Sequence, residues 1–145
     1  VVLDKELKFL SRISIVQIVT FLITNLKNMN LTDIEDLPID KQWDYLLDQL
    51  GETLGSKPAD LNGVLFLIGV QELGQGAKRF TKEQKQDLMH IGICKVLSLS
   101  SYYVLERIDA EGWPHYMLNR ALPQGTVDAQ EMLLKMHVIE YFKLI

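Results

Sequence analysis

The sequence predicts a mainly α fold, a compact bundle-like single domain of four core helices, with residues 102–119 as the site of a short β-hairpin if one forms. Three observations carry that prediction. Apolar residues recur at helical spacing in separate windows, and cap residues and glycines bracket those windows. A chain of 145 residues, 48% hydrophobic and 23% charged, also has the size and composition of one self-sufficient core.

The first segment stands apart from that scheme. In residues 1–28, Lys5, Lys8 and Arg12 precede the apolar run 13–23, an order that imitates a secretory leader. No small-residue cleavage pattern follows, and the run is shorter than the roughly 20 residues a membrane span needs. The first methionine is Met29, which suggests that translation starts there and that the preceding stretch is a gene-boundary artefact. An intact native mass placing the N-terminus at or before Val1 would exclude this. On this scheme residues 29–145 form the helical domain, and membrane association is expected only if residues 1–28 are an anchor.

The elements follow in order. Asp40 is placed to cap a helix in which Trp43, Leu46, Leu47, Leu50 and Leu54 share a face, with Gly55 to end it. After the break Ser56-Lys57-Pro58-Ala59, the stretch 61–73 has no polar face around Val64-Leu65-Phe66-Leu67-Ile68, and its length favours a central helix over a buried strand. Gly74-Gln75-Gly76 reads as its stop. A phosphate loop would need a third glycine or a lysine at P-loop spacing, and neither is present. Thr81-Lys82-Glu83-Gln84 has capping-box spacing and opens a helix expected to run to about Ser100.

Beyond Ser101 two readings stay open. Residues 102–108 and 113–119 can flank a turn at Asp109-Ala110-Glu111-Gly112 as a hairpin, or the helix continues to Arg107 and gives way to an ordered loop. Leu122-Pro123-Gln124-Gly125 then breaks the chain, and Thr126 caps a last helix to about Lys143. That helix has two apolar stripes. Val127, Leu134, Val138, Tyr141 and Ile145 lie opposite Met132, Met136 and Ile139, so it is expected to be sandwiched, by this chain or by a second copy.

Charge and cysteine content narrow the function. A net charge of −4 and a single adjacent basic pair, Lys78-Arg79, argue against nucleic-acid binding. Cys94, the only cysteine, excludes an internal disulfide and points to a reducing, cytoplasmic setting. Eight acids between Asp33 and Asp60 face only Lys41 and Lys57, which reads as a solvated acidic surface, with a docking face for a basic partner as the functional alternative.

Site chemistry concentrates between Thr81 and Tyr116. With Leu88 at zero on the helical wheel, Met89, Gly92, Val96 and Leu99 form the core side. Glu83, Asp87, His90 and Cys94 stack on the other, as a polar stripe of metal-ligand residue types. For a transition metal, His90 and Cys94 at i and i+4 would be joined by Glu83 or Asp87 and by His115 or His137. No Cys-x-x-Cys, His-Glu-x-x-His or Glu-x-x-His pair supports that set, and no cofactor is expected. A nucleophilic Cys94 would need a nearby base and a helix N-terminus to favour its thiolate, and it lies mid-helix.

Gly112-Trp113-Pro114-His115-Tyr116 is the least ordinary run. Gly112 permits a tight left-handed turn and Pro114 extends Trp113, so alternation sends Trp113 and His115 to one side and Tyr116 to the other. It shapes either an aromatic-walled pocket or a turn whose Trp113 plugs the core.

The segments 67–76, 88–92 and 109–116 resemble a family of small Bacteroidota proteins with no assigned activity. The resemblance implies a cytosolic bacterial protein and carries over no catalytic residue. The expectation is therefore a binding or interaction domain with His90, Cys94, Trp113, His115 and Tyr116 at its site, engaging a protein partner or a second copy. The alternative is a metal-dependent enzyme with ligands among Glu83, Asp87, His90, Cys94, His115 and His137, and with Glu83 or Glu111 as general base.

Overall fold

The computed structural model describes residues 31–55, 57–58, 60–75 and 79–145. The expectations for residues 1–28, for a start at Met29 and for Gly76 lie outside them. The described residues form a compact, mainly helical fold with a two-stranded antiparallel hairpin.

A 3-10 turn, Leu31–Ile34, leads into helix α1, Ile39–Leu54. Its N-cap is Pro38, with no side-chain cap bond, so Asp40 falls in the first turn instead of capping. There its charge still meets the positive end of the helix dipole. Buried Gln42 ties the turn to the helix, its Nε2 donating to the carbonyls of Glu35 (3.2 Å) and Leu37 (2.8 Å). Trp43, Leu46, Leu47, Leu50 and Leu54 are all buried, and Gly55 ends α1 in the left-handed region at φ 73°.

Helix α2, Leu61–Leu73, is the central helix that its uninterrupted apolar run predicts. Asp60 caps it by accepting from Gly63 N at 3.3 Å, and Gly74, at φ 64°, returns its N–H to Val70 O at 3.1 Å. Both faces are buried, because α3 crosses on one side and other apolar elements close the other.

Helix α3, Lys82–Ser98, opens with the expected capping box. Gln84 N donates to Thr81 Oγ1 at 3.1 Å, and Thr81 N donates to Gln84 Oε1 at 2.9 Å. Its crossing with α2 is built on paired glycines. A Cβ on Gly69 would run into the Leu88 carbonyl of α3, and one on Gly92 into the Leu65 carbonyl of α2. The two backbones are therefore in contact where most helix pairs place side chains.

The helix stops two residues short of Ser100, and the chain turns through Ser101 at φ 63°, with Tyr102 N bonded back to Leu97 O at 3.1 Å. Of the two readings for the next segment, the hairpin is the one adopted. Strand β1, Tyr103–Ile108, pairs antiparallel with β2, Pro114–Leu118. Tyr103 faces Leu118, Val104 faces Met117 and Leu105 faces Tyr116, and the register then shifts across Glu106 so that Arg107 faces His115. Such a bulge re-aims the side chains beyond it.

Helix α4, Val127–Leu144, is capped by Thr126, whose Oγ1 accepts from Ala129 N at 3.1 Å. The described residues of the chain do not sandwich it along its whole length. Val138, Ile139, Tyr141 and Phe142 are buried, whereas Val127, Met132 and Met136 are 77%, 41% and 43% exposed. Among the described residues its contacts with the core are densest in its C-terminal half, where Tyr141 Oη donates to Glu72 Oε2 at 3.0 Å and Lys143 pairs with Glu35 at 3.2 Å. Among the described residues no helix is long and apolar enough to cross a membrane.

A candidate ligand cleft between α3 and the hairpin

The exposed side of α3 presents Glu83, Asp87 and His90 to solvent, as its wheel predicts. Cys94, one turn beyond His90, departs from that stripe. It is fully buried, because the hairpin packs against α3 and converts a second side of the helix into core. The buried set is Leu88, Ile91, Gly92, Cys94, Val96 and Leu97, while Leu99, expected in the core, lies past the helix end and is 37% exposed. Cys94 Sγ lies 3.5 Å from His90 Nε2. Burial pushes its thiol up to about 11, so at neutral pH it is a protonated filler and supplies no thiolate.

The hairpin turn is organised by one carboxylate. Asp109 Oδ1 accepts from the backbone N–H of Glu111 (2.9 Å) and Trp113 (3.0 Å), and Oδ2 lies 2.8 Å from His115 Nε2. Asp109 N donates to Trp113 O at 2.9 Å, and Gly112, at φ 88°, donates to Asp109 O at 3.0 Å. The hydrogen bond from His115, then those from Trp113 and Glu111, hold the Asp109 carboxyl below its ordinary value. From the end of α2, Gln75 Nε2 donates to Glu111 O at 2.6 Å and anchors the turn to the helical layer.

Alternation along β2 starts only at Pro114, so Trp113 belongs to the turn and not to the strand. It therefore does not oppose Tyr116. Both rings are half-buried against the core, and Trp113 meets Phe80 edge to face at 6.4 Å between centroids. Tyr116 lies close enough to Glu72 and Cys94 that burial, reinforced by those two groups, pushes its phenol up to about 12.

Between these two elements lies a cleft of about 430 Å³. Gln84, Asp87 and His90 line it from α3, and Asp109, Trp113 and His115 from the hairpin, with Tyr116 and Glu111 completing the wall. His90, Trp113, His115 and Tyr116 thus line one cleft, Tyr116 included although alternation sent it to the opposite side, and Cys94 sits behind His90, outside the lining. Asp109 is the residue that sequence reasoning passed over as an ordinary turn position. Its signal was there, since an Asp opening a turn that contains Gly is a former of side-chain-to-backbone bonds.

The wider metal-ligand set separates. His137 lies on α4, its Nδ1 2.7 Å from Leu133 O, its Nε2 2.7 Å from Ser100 Oγ and its ring against Tyr102. Each histidine has its own neighbour: Cys94 for His90, Asp109 for His115, Ser100 for His137. Among the described residues no three His, Cys, Asp or Glu side chains are grouped to hold one ion.

No protein-family model, curated protein or solved structure matches this chain.

Proposed function

We propose that this protein is a small binding domain whose ligand site is the cleft between α3 and the hairpin. The observation that carries the reading is the convergence of His90, Trp113, His115 and Tyr116, from two separate elements, on one concavity of about 430 Å³. That volume is in the range of sites for small ligands, and the Trp113 and Tyr116 rings supply aromatic surface among several convergent polar side chains. The hairpin side is held in advance by Asp109 and Gln75, which lowers the ordering cost of binding. The single cysteine, buried as a thiol, supports placing the protein in a reducing compartment such as the bacterial cytoplasm.

Fluorescence tests the reading directly. The chain has two tryptophans, and Trp43 is buried in the core, so a Trp43→Phe variant leaves Trp113 as the reporter of the cleft. A ligand screen is expected to yield molecules that shift Trp113 emission saturably and lose that effect in His90→Ala. Binders that act only at residues remote from the cleft would remove the basis of the proposal.

Self-association is a second reading, favoured by the exposure of Val127, Met132 and Met136 on α4. Light scattering across micromolar concentrations is expected to show a dimer that Met132→Glu dissociates. A monomer throughout would dismiss it.

A further inference from the structure

We infer that the cleft selects an organic cation, a guanidinium or ammonium group carried on an apolar stem. The inference rests on the cleft being the ligand site. Asp87, Asp109 and Glu111 line it, and among the described residues no Lys or Arg does. Asp109 is compensated by His115 and by two backbone N–H groups. Asp87 and Glu111 are different: their carboxylates have no ion pair among the described residues, and they stand on opposite walls, one on α3 and one on the turn. Two carboxylates lining one concavity without an ion pair among the described residues favour a cation there, and the concave shape focuses the field.

The wall between them supplies the remainder. Trp113 offers an aromatic surface, and a guanidinium or ammonium against an indole gains from the ring quadrupole as well as from apolar contact along its stem. An anion has no equivalent site here. The backbone donors of the turn, the N–H groups of Glu111 and Trp113, would suit a phosphate or carboxylate, but the Asp109 side chain already occupies both. The protein has in effect filled its own anion nest. A net charge of −4 for the chain further favours approach of a cation.

Amide-resolved NMR titration of the whole chain tests the class. The probes are N-acetyl-arginine amide, the isosteric neutral N-acetyl-citrulline amide, and the anionic N-acetyl-glutamate amide. The arginine probe is expected to shift Gln84, Asp87 and residues 111–115 saturably, about tenfold more tightly than the citrulline probe, which has nearly the same shape but lacks the charge and presents a carbonyl in place of one donor group. Asp87→Asn, an exposed change on the helix face, is expected to weaken the arginine probe about fivefold or more while the citrulline probe is unmoved, and added salt should weaken it likewise. A short peptide carrying one arginine separates the sources of the cation. If it binds tighter and shifts further hairpin residues the cation belongs to a polypeptide, and if it binds no tighter than the capped amino acid the cation belongs to a small molecule.

Citrulline or glutamate probes binding the same residues as well as arginine would overturn the cation class and leave the cleft as the ligand site. Failure of every probe, and of every molecule in the fluorescence screen, to perturb those residues would overturn both.

Discussion

At the scale of single residues, the strongest constraints come from side chains that are missing. Gly69 and Gly92 let α2 and α3 touch backbone to backbone, so Gly92→Ala forces a methyl group against the Leu65 carbonyl, and Gly69→Ala does the same to Leu88. Overpacking commonly costs about 1–3 kcal/mol, and a backbone neighbour has no rotamer by which to yield, so the upper end is expected for each. Urea denaturation measures it; a loss below about 0.5 kcal/mol for both variants would contradict so close a crossing. Ser101 is the reverse case. It holds φ 63° with a Cβ, and Ser101→Gly is expected to raise stability by up to about 1 kcal/mol as that strain is relieved. Neither role was legible in the sequence. A glycine within Leu67-Ile68-Gly69-Val70 looks only like a weak helix position until the partner helix is known.

At the scale of elements, caps and breaks fixed most boundaries. Thr81 and Gln84 form their box, Gly55 and Gly74 end their helices in the left-handed conformation, and Thr126 starts α4. Local bonds made these visible, since each involves residues at most four apart. Asp40 misled because Pro38, with no side-chain acceptor, took the cap position two residues earlier. The hairpin turn carries a prediction of its own. The Asp109 carboxyl is held below its ordinary value in the folded chain, so its ionised form binds the fold better than its protonated form does. The stabilisation is present at neutral pH, above the unfolded value, and is lost as pH falls through the lower folded value. Carboxyl-carbon NMR should place the Asp109 midpoint below the usual carboxylate range, and His115→Ala should move it back up. A midpoint at the ordinary value would show that the turn is not organised as described.

At the scale of the whole molecule, buried weak acids set the alkaline limit. Burial raises the Cys94 thiol from 9.0 to about 11 and the Tyr116 phenol from 10.0 to about 12, and it raises Tyr141 as well, with Glu72 beside it adding to the shift. Each neutral form is favoured in the fold, so the stabilisation is complete below the unfolded values and declines as pH climbs through the folded ones. Stability is expected to fall between about pH 9 and 12, and Cys94→Ala should blunt the first part of the decline. Thiol labelling offers an independent check. Cys94 should react slowly with a disulfide reagent in the native protein and quickly in denaturant. Rapid native labelling would mean that the hairpin does not cover it.

By itself the sequence determined what depends on neighbours along the chain: a mainly α fold, the four helices of the described residues with most of their caps, and the concentration of reactive side chains between Thr81 and Tyr116. The tertiary structure decided what depends on neighbours in space. It chose the hairpin over a longer helix, turned Cys94 from a polar stripe into core, left Met132 and Met136 of α4 uncovered by the described residues, and answered whether His90 and His115 meet. They share a cleft, each already paired with a different residue. The reason is one of range. A cap or turn closes within four residues, but the cleft exists only because the Asp87–His90 face of α3 and the turn at Asp109 and Trp113, far apart along the chain, pack together. That packing rests on burial across α2, α3 and the strands, which no local pattern records.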